Sequence, residues 1–318
     1  MRKLFLLILF TIFACAIAVS WFDNMVKKPL PIKQDFVINM PQGAGANTLA
    51  GQLMQQNLLP HEIMVKIAIR AYGFDKKLKA GEFLIKQQMS LLDILNKLSS
   101  GKVIMHKITI PEGLTSQQII ELINNNELLV GTIDFPVEEG SVLPETYSFN
   151  KGTKKSDIIK QAQKSMKDHL RNIWQERKED LPLKSDEELL ILASIIEKET
   201  GISSEREKVA SVFVNRLNKG MLLQTDPTVI YAITQGKTEL GRSLRRKDLQ
   251  IDSPYNTYKY AGLPPKPICN PGIEALKAAA NPLDTPYFYF VADGKGGHNF
   301  SKTLKEHNQN VQKWLKNR

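Results

Sequence analysis

Cysteine is almost missing from this chain of 318 residues: Cys15 and Cys269 are its only two. Cys15 lies inside an N-terminal apolar run, so pairing with Cys269 is not expected and the fold is not stapled by disulfides. Sparse cysteine does not by itself fix the compartment. Phe13-Ala14 before Cys15 also makes a poor lipoprotein signal. The five histidines (His61, His106, His169, His298, His307) show no H-x-x-x-H spacing, and there is no C-x-x-C. No metal and no cofactor is therefore expected. Dense basic blocks are lacking too. Lys and Arg exceed Asp and Glu by 43 to 33, a formal charge of +10, but they are spread along the chain without interleaved aromatics. Nucleic acid is thus the weaker partner, and an anionic membrane surface or an acidic polymer the better one. The glycine-rich Asp293–His298 lacks the strand–loop–helix spacing of a nucleotide site.

What is present starts with length and an apolar start. A chain of this size, 42% hydrophobic, has room for two domains with real cores. After Arg2-Lys3, Leu4 to Trp21 is an uncharged run spanning about 27 Å as a helix, close to a bilayer's hydrocarbon thickness. Residues 1–22 read as a transmembrane anchor. The rival is a cleaved signal peptide, since Ala16-Ile17-Ala18 resembles a cleavage site. Either way the body of the chain is exported. Residues 23–34, with Pro29 and Pro31, read as a linker. Two units then echo each other. Phe36-Val-Ile-Asn-Met-Pro41-Gln-Gly43 leads into Leu49 and Leu53; Ile108-Thr-Ile-Pro111-Glu-Gly113 leads into Ile119 and Leu122. Both predict a strand, a Pro-x-Gly turn and an amphipathic helix. Helical patterns at 61–72 and 90–99 and a strand near Glu82–Ile85 complete a small α+β module at 35–103, of the size of a LysM-like glycan-binding unit, with a plain spacer domain as the alternative. Residues 104–318 form a second, mainly helical α+β domain.

That second domain is organised around Ser185–Gly201. Ser185 and Glu188 make a capping box, S-x-x-E, and Gly201 is a fitting stop. Leu189 to Ile196 are apolar almost all round, the pattern of a buried helix. Glu197 and Glu199 nonetheless sit in its last turn. Burial favours a neutral carboxyl and raises its pKa, which suits a general acid. Glu197 shares its face with Leu190, Ala193 and Ser194; Glu199 shares its face with Leu192, Ile195 and Ile196. Small neighbours leave room for a ligand, so Glu197 is the favoured cleft residue. The plainer alternative makes both carboxylates structural ion-pair partners of Lys198 and Arg206. Downstream, Gln224 and Asp226, in an apolar run ending in an Asp-Pro turn, are candidates for hydrogen bonds to sugar hydroxyls or amides. Ser253-Pro-Tyr255-Asn256-Thr-Tyr258-Lys-Tyr260 puts aromatic faces beside an amide, which suits pyranose rings.

Several long stretches, in order, resemble the endolytic murein transglycosylases of the MltG/YceG type. They are Leu143-Pro-Glu-Thr-Tyr147, Ser194-Ile-Ile-Glu-Lys-Glu-Thr200, Ser204-Glu-Arg206, Val212-Phe-Val-Asn-Arg-Leu217 and Leu223-Gln-Thr-Asp-Pro-Thr-Val-Ile-Tyr231. Tyr255-Asn-Thr-Tyr258, Gly262-Leu-Pro-Pro265, Phe290-Val-Ala-Asp-Gly294 and Phe300…His307-Asn308 follow. Glu145 departs from the family's usual Asp. The resemblance covers about residues 108–315. It implies Glu197 as catalytic acid, and Gln224, Asp226, Tyr255 and Asn256 as substrate-binding residues, with Glu199 in support. It also implies cleavage of the β-1,4 bond between N-acetylmuramic acid and N-acetylglucosamine in peptidoglycan, giving 1,6-anhydro ends and limiting strand length. The implied setting is the cytoplasmic membrane, single-pass, with the catalytic domain outside and membrane-bound peptidoglycan synthases as partners. A hydrolase, or a non-catalytic glycan-binding scaffold, is the alternative. Glu197 is expected to face a groove rather than a sealed core.

Overall fold

An uncharged apolar run satisfies its backbone best as a helix, and Arg2–Lys27 form one, α1. The computed structural model describes residues 2–316. Among these, α1 is the one helix long and apolar enough to cross a membrane, a test that a signal sequence also passes. It runs beyond residue 22, into the stretch expected as linker. Val26 is fully buried among the side chains of the following module, and Phe22 packs against them. The two prolines then follow in a docked segment, where the Leu30 N–H donates to the Met89 carbonyl at 3.0 Å.

The chain packs as two compact units. One takes the residues up to His106 with Ser148–Gly152; the other takes Lys107–Tyr147 and Thr153 onward. In the first, β1 (Phe36–Met40), α2 (Ala46–Gln55), α3 (Ile63–Ala71), β2 (Gly81–Ile85) and α4 (Leu91–Ser100) follow in order. Strands β1 and β2 pair antiparallel, from Phe36↔Ile85 to Met40↔Gly81. Alternation turns Ile38, Met40, Phe83 and Ile85 inward, against Leu49, Leu53, Val65 and Leu95. Gly81 is obligatory, because a Cβ there would lie 2.4 Å from Val103. Ser90 and Asp93 form a full capping box, and Gly101 ends α4 in left-handed conformation.

β3 (His106–Thr109) pairs with β4 (Thr146–Phe149). The rest of the second unit is α5 (Ser116–Asn124), α6 (Lys155–Gln175), α7 (Asp186–Glu199), α8 (Arg206–Asn218), α9 (Asp226–Thr234), α10 (Ile273–Ala280), β5 (Tyr289–Ala292), β6 (His298–Ser301) and α11 (Leu304–Lys316). Helix α7 is its hub. Leu189 through Ile196 are all buried, against α6, α8, α9 and α10. Its ends differ from expectation. Ser185 caps the Glu188 N–H, but the Glu188 carboxylate reaches one residue further back, to the Lys184 N–H at 2.6 Å. The helix stops at Thr200 in extended backbone, and Gly201 is not a left-handed cap. Asp226-Pro227 is likewise not a turn: it opens α9, where proline's missing N–H costs nothing. β5 and β6 form a hairpin about Asp293, which accepts the Lys295 and Gly297 N–H groups at 2.7 and 3.0 Å.

Candidate active site

Glu199 is the last residue of α7, so the packed helix delivers its side chain just past the core. There it meets a cleft of about 500 Å³. The walls include Gln224 and Asp226, from the start of α9, and Tyr258, from the loop beyond it. Tyr289 of β5 and His307 of α11 close the other side. Leu304, His307, Val311 and Trp314 recur at helical spacing, so one face of α11 lines the cleft. The Thr225 hydroxyl donates to the Glu199 carboxylate. Burial is the largest influence on that carboxylate and raises its pKa above the ordinary 4.5; nearby Asp226 raises it too, while the Thr225 bond, His298 and Arg216 oppose. The Tyr258 hydroxyl donates to Asp226 at 2.6 Å and is itself pushed up by burial. His307 stacks on Tyr289 at 5.3 Å, and burial lowers its pKa below 6.5, so it is a neutral imidazole near neutral pH. The set is a protonatable carboxyl, Glu199, with a second carboxyl, Asp226, among hydroxyls, an amide and ring faces. That suits proton delivery to an uncharged, hydroxyl-rich ligand.

Glu197 is placed differently. Its side chain is only 6% exposed. One oxygen accepts the N–H of Gly272, the residue capping α10, at 2.9 Å. The other lies 3.8 Å from Arg206, which also contacts Glu112 at 3.5 Å. Glycine at 272 lets the Glu112 side chain lie close: a Cβ would sit 1.8 Å from Glu112 Oε1 and push that side chain aside. Glu197 is raised as well, mainly by burial, but its carboxyl staples α7 to the start of α10. The small neighbours do leave room, as expected. The chain's own loop takes it: the Ile268 N–H donates to Ser194 Oγ at 3.1 Å, and the Cys269 thiol contacts the Ser194 carbonyl at 3.3 Å.

Residues 38–313 match the YceG-like family. The chain belongs to that family. It is 35% identical over 314 residues to a Bacillus subtilis protein named endolytic murein transglycosylase, an alignment covering 87% of this chain and 84% of that one. A Streptococcus pneumoniae protein of the same name is 27% identical, with 91% of this chain and 60% of that one covered. The 2.6 Å crystal structure of a yceG-like protein from Listeria monocytogenes superposes with a TM-score of 0.53 at 33% identity, over 87% of this chain and 99% of that one.

Within this YceG-like framework, the structure brings together two of the sequence-selected residues, Gln224 and Asp226, and groups them with Glu199 rather than Glu197. Tyr255 is partly buried and packs against Tyr231 at 4.9 Å. Asn256 is completely buried. Its amide donates to the Leu249 and Ile251 carbonyls at 3.0 and 2.8 Å and accepts the Tyr258 N–H at 3.0 Å. It offers nothing to a ligand in this conformation; it holds the loop that presents Tyr258. Sequence reasoning passed over Tyr289 and His307 as cleft residues, and had Tyr258 only as one of several aromatics in the Ser253–Tyr260 stretch. The motifs containing Tyr258 and His307 were visible; which face of each was turned to the cleft was not.

Proposed function

We propose that this chain cleaves peptidoglycan glycan strands internally, by lytic transglycosylation, with Glu199 as the single acid–base residue. What carries the reading is the protonatable Glu199 carboxyl in a cleft with Gln224, Asp226 and Tyr258. Relatives named for that activity support it. Glu199 delivers its proton to the glycosidic oxygen as the C1–O bond between N-acetylmuramic acid and N-acetylglucosamine breaks. The carboxylate left behind takes the proton from the muramyl C6 hydroxyl as that oxygen bonds to C1. No water is consumed, the end is a 1,6-anhydro sugar, and the proton returns to Glu199. A nucleophile within the substrate makes the two-carboxylate arrangement of hydrolytic glycosidases unnecessary. One observation favours a second reading: Asp226 is another carboxylate in the same cleft, and positioning a water there gives hydrolysis. Mass spectrometry separates the two, since hydrolytic ends are heavier by one water.

The same proposal places α1 in the cytoplasmic membrane, uncleaved, with the folded body on the outer side. Its length and composition support this. The β1–α2–α3–β2 unit is taken as a LysM-like module that holds glycan; its strand–helix–helix–strand order with one antiparallel pair supports that. Membrane-bound peptidoglycan synthases, which make the strands to be cut and limited in length, are the proposed partners. Purified strands incubated with the full chain should yield shorter fragments with anhydro ends.

A further inference from the structure

We propose that Arg216 is a positioning residue: a clamp across the cleft that fixes the Leu222–Thr225 strap against Glu199. Arg216 projects from α8 and is 8% exposed. Its Nε donates to the Phe288 carbonyl at 2.7 Å, on the β5 side of the cleft. Its Nη1 donates to the carbonyls of Leu223 at 2.7 Å and Leu222 at 3.3 Å, on the α9 side. The guanidinium lies 5.2 Å from the centre of the Tyr289 ring. Among the described residues it forms no ion pair, and burial lowers its pKa. A buried cation that donates to main-chain carbonyls in place of a carboxylate is costly. The planar fork, which lysine lacks, reaches both sides at once.

The strap explains the need. Gln224 has φ +51°, a left-handed conformation that a non-glycine residue holds only where its surroundings over-determine it. Every residue of the strap is tied. Arg216 takes the Leu222 and Leu223 carbonyls. The Gln224 N–H donates to the Thr257 carbonyl and the Thr225 N–H to the Thr257 hydroxyl, both at 3.1 Å. Thr225 then donates its hydroxyl to Glu199. A path of bonds and covalent links thus runs from Arg216 through Leu223, Gln224 and Thr225 to the acid. Asp226, His298 and Tyr258 are the other charged or titratable groups around Glu199, and none of them ties the strap at Leu222 or Leu223.

The catalytic part of the test rests on the glycan-cleavage reading; the structural part does not. In the full chain, Arg216→Lys should lower kcat on glycan strands by about 10²-fold, with KM changed by less than about three-fold. Hydrogen exchange at the Gln224 and Thr225 amides should speed up while the middle of α8 stays protected. In a double-mutant cycle, R216K should cost little once Gln224→Ala is present. Arg216→Gln, which keeps one amide donor, serves if R216K does not fold. Unchanged exchange at Gln224 and Thr225 overturns the clamp whatever the activity, as do losses that simply multiply in the cycle. A wild-type chain that cleaves no strands, yet shows the exchange effect, defeats the functional reading and leaves the clamp standing.

Discussion

Two glutamates two residues apart, both pushed toward the neutral acid by burial, are given different work by what surrounds them. Glu197 caps α10 and neighbours Arg206. Glu197→Ala should therefore destabilise the fold by about 1–3 kcal/mol, the cost of leaving a buried donor unpaired; a melting curve reads it, with cleavage per folded molecule retained. For Glu199 the proton itself carries the prediction. Its folded-state pKa lies above the unfolded value, so its ionisation opposes folding, and stability falls as pH rises from the ordinary carboxylate value through the raised one. Glu199→Gln should melt higher than wild type at neutral pH, and the gap should close near pH 4. Activity that needs the protonated acid should decline as pH rises through the raised pKa. The sequence showed that a carboxyl at this helix end would be perturbed. It could not show which of the two lines the cleft, because Ser194 and Ala193 make room for the Ile268–Cys269 loop, a contact across more than seventy residues. Asn256 was similarly readable as polar and placed beside aromatics, but its bonds to Leu249 and Ile251 turn it inward.

Among elements, periodicity and caps located most helices, since both are local. α4, Leu91–Ser100, lies within one residue of its expected span at 90–99. The two turn-and-helix echoes both formed, with Thr115 and Gln118 closing their capping box. The misreadings lie where local signals allow two outcomes. Asp-Pro starts either a turn or a helix, and only the packing of Thr228 and Val229 decided for α9. Ser185 stands at the opposite end of α7 from the acid. Ser185→Ala should cost about 1 kcal/mol of stability by losing the cap, with kcat unchanged. A fall in kcat beyond the loss of folded protein would show that the whole helix, and not only its last turn, tunes Glu199.

For the whole molecule, the apolar start was legible from composition, but the docking of residues 22–32 onto the following module was not. Pro29 and Pro31 suggested a linker over 23–34, whereas Val26 packs into a core built by residues as far along the chain as Leu98. A chain beginning at Phe22 should keep that core. One beginning at Lys28 should lose about 1.5–3 kcal/mol from the missing valine alone, visible as a lower denaturation midpoint. Cleavage at Ala18 would leave Phe22 and Val26 in place, so the module's stability does not depend on whether residues 1–18 are retained. The central claim is that one carboxyl at the end of α7 breaks glycan strands with the substrate's own hydroxyl. The most direct measurement is mass spectrometry of fragments released from purified strands by wild type, Glu199→Gln and Glu197→Gln. Anhydro ends from wild type and Glu197→Gln, and none from Glu199→Gln, are predicted. Undiminished release by Glu199→Gln would contradict the account.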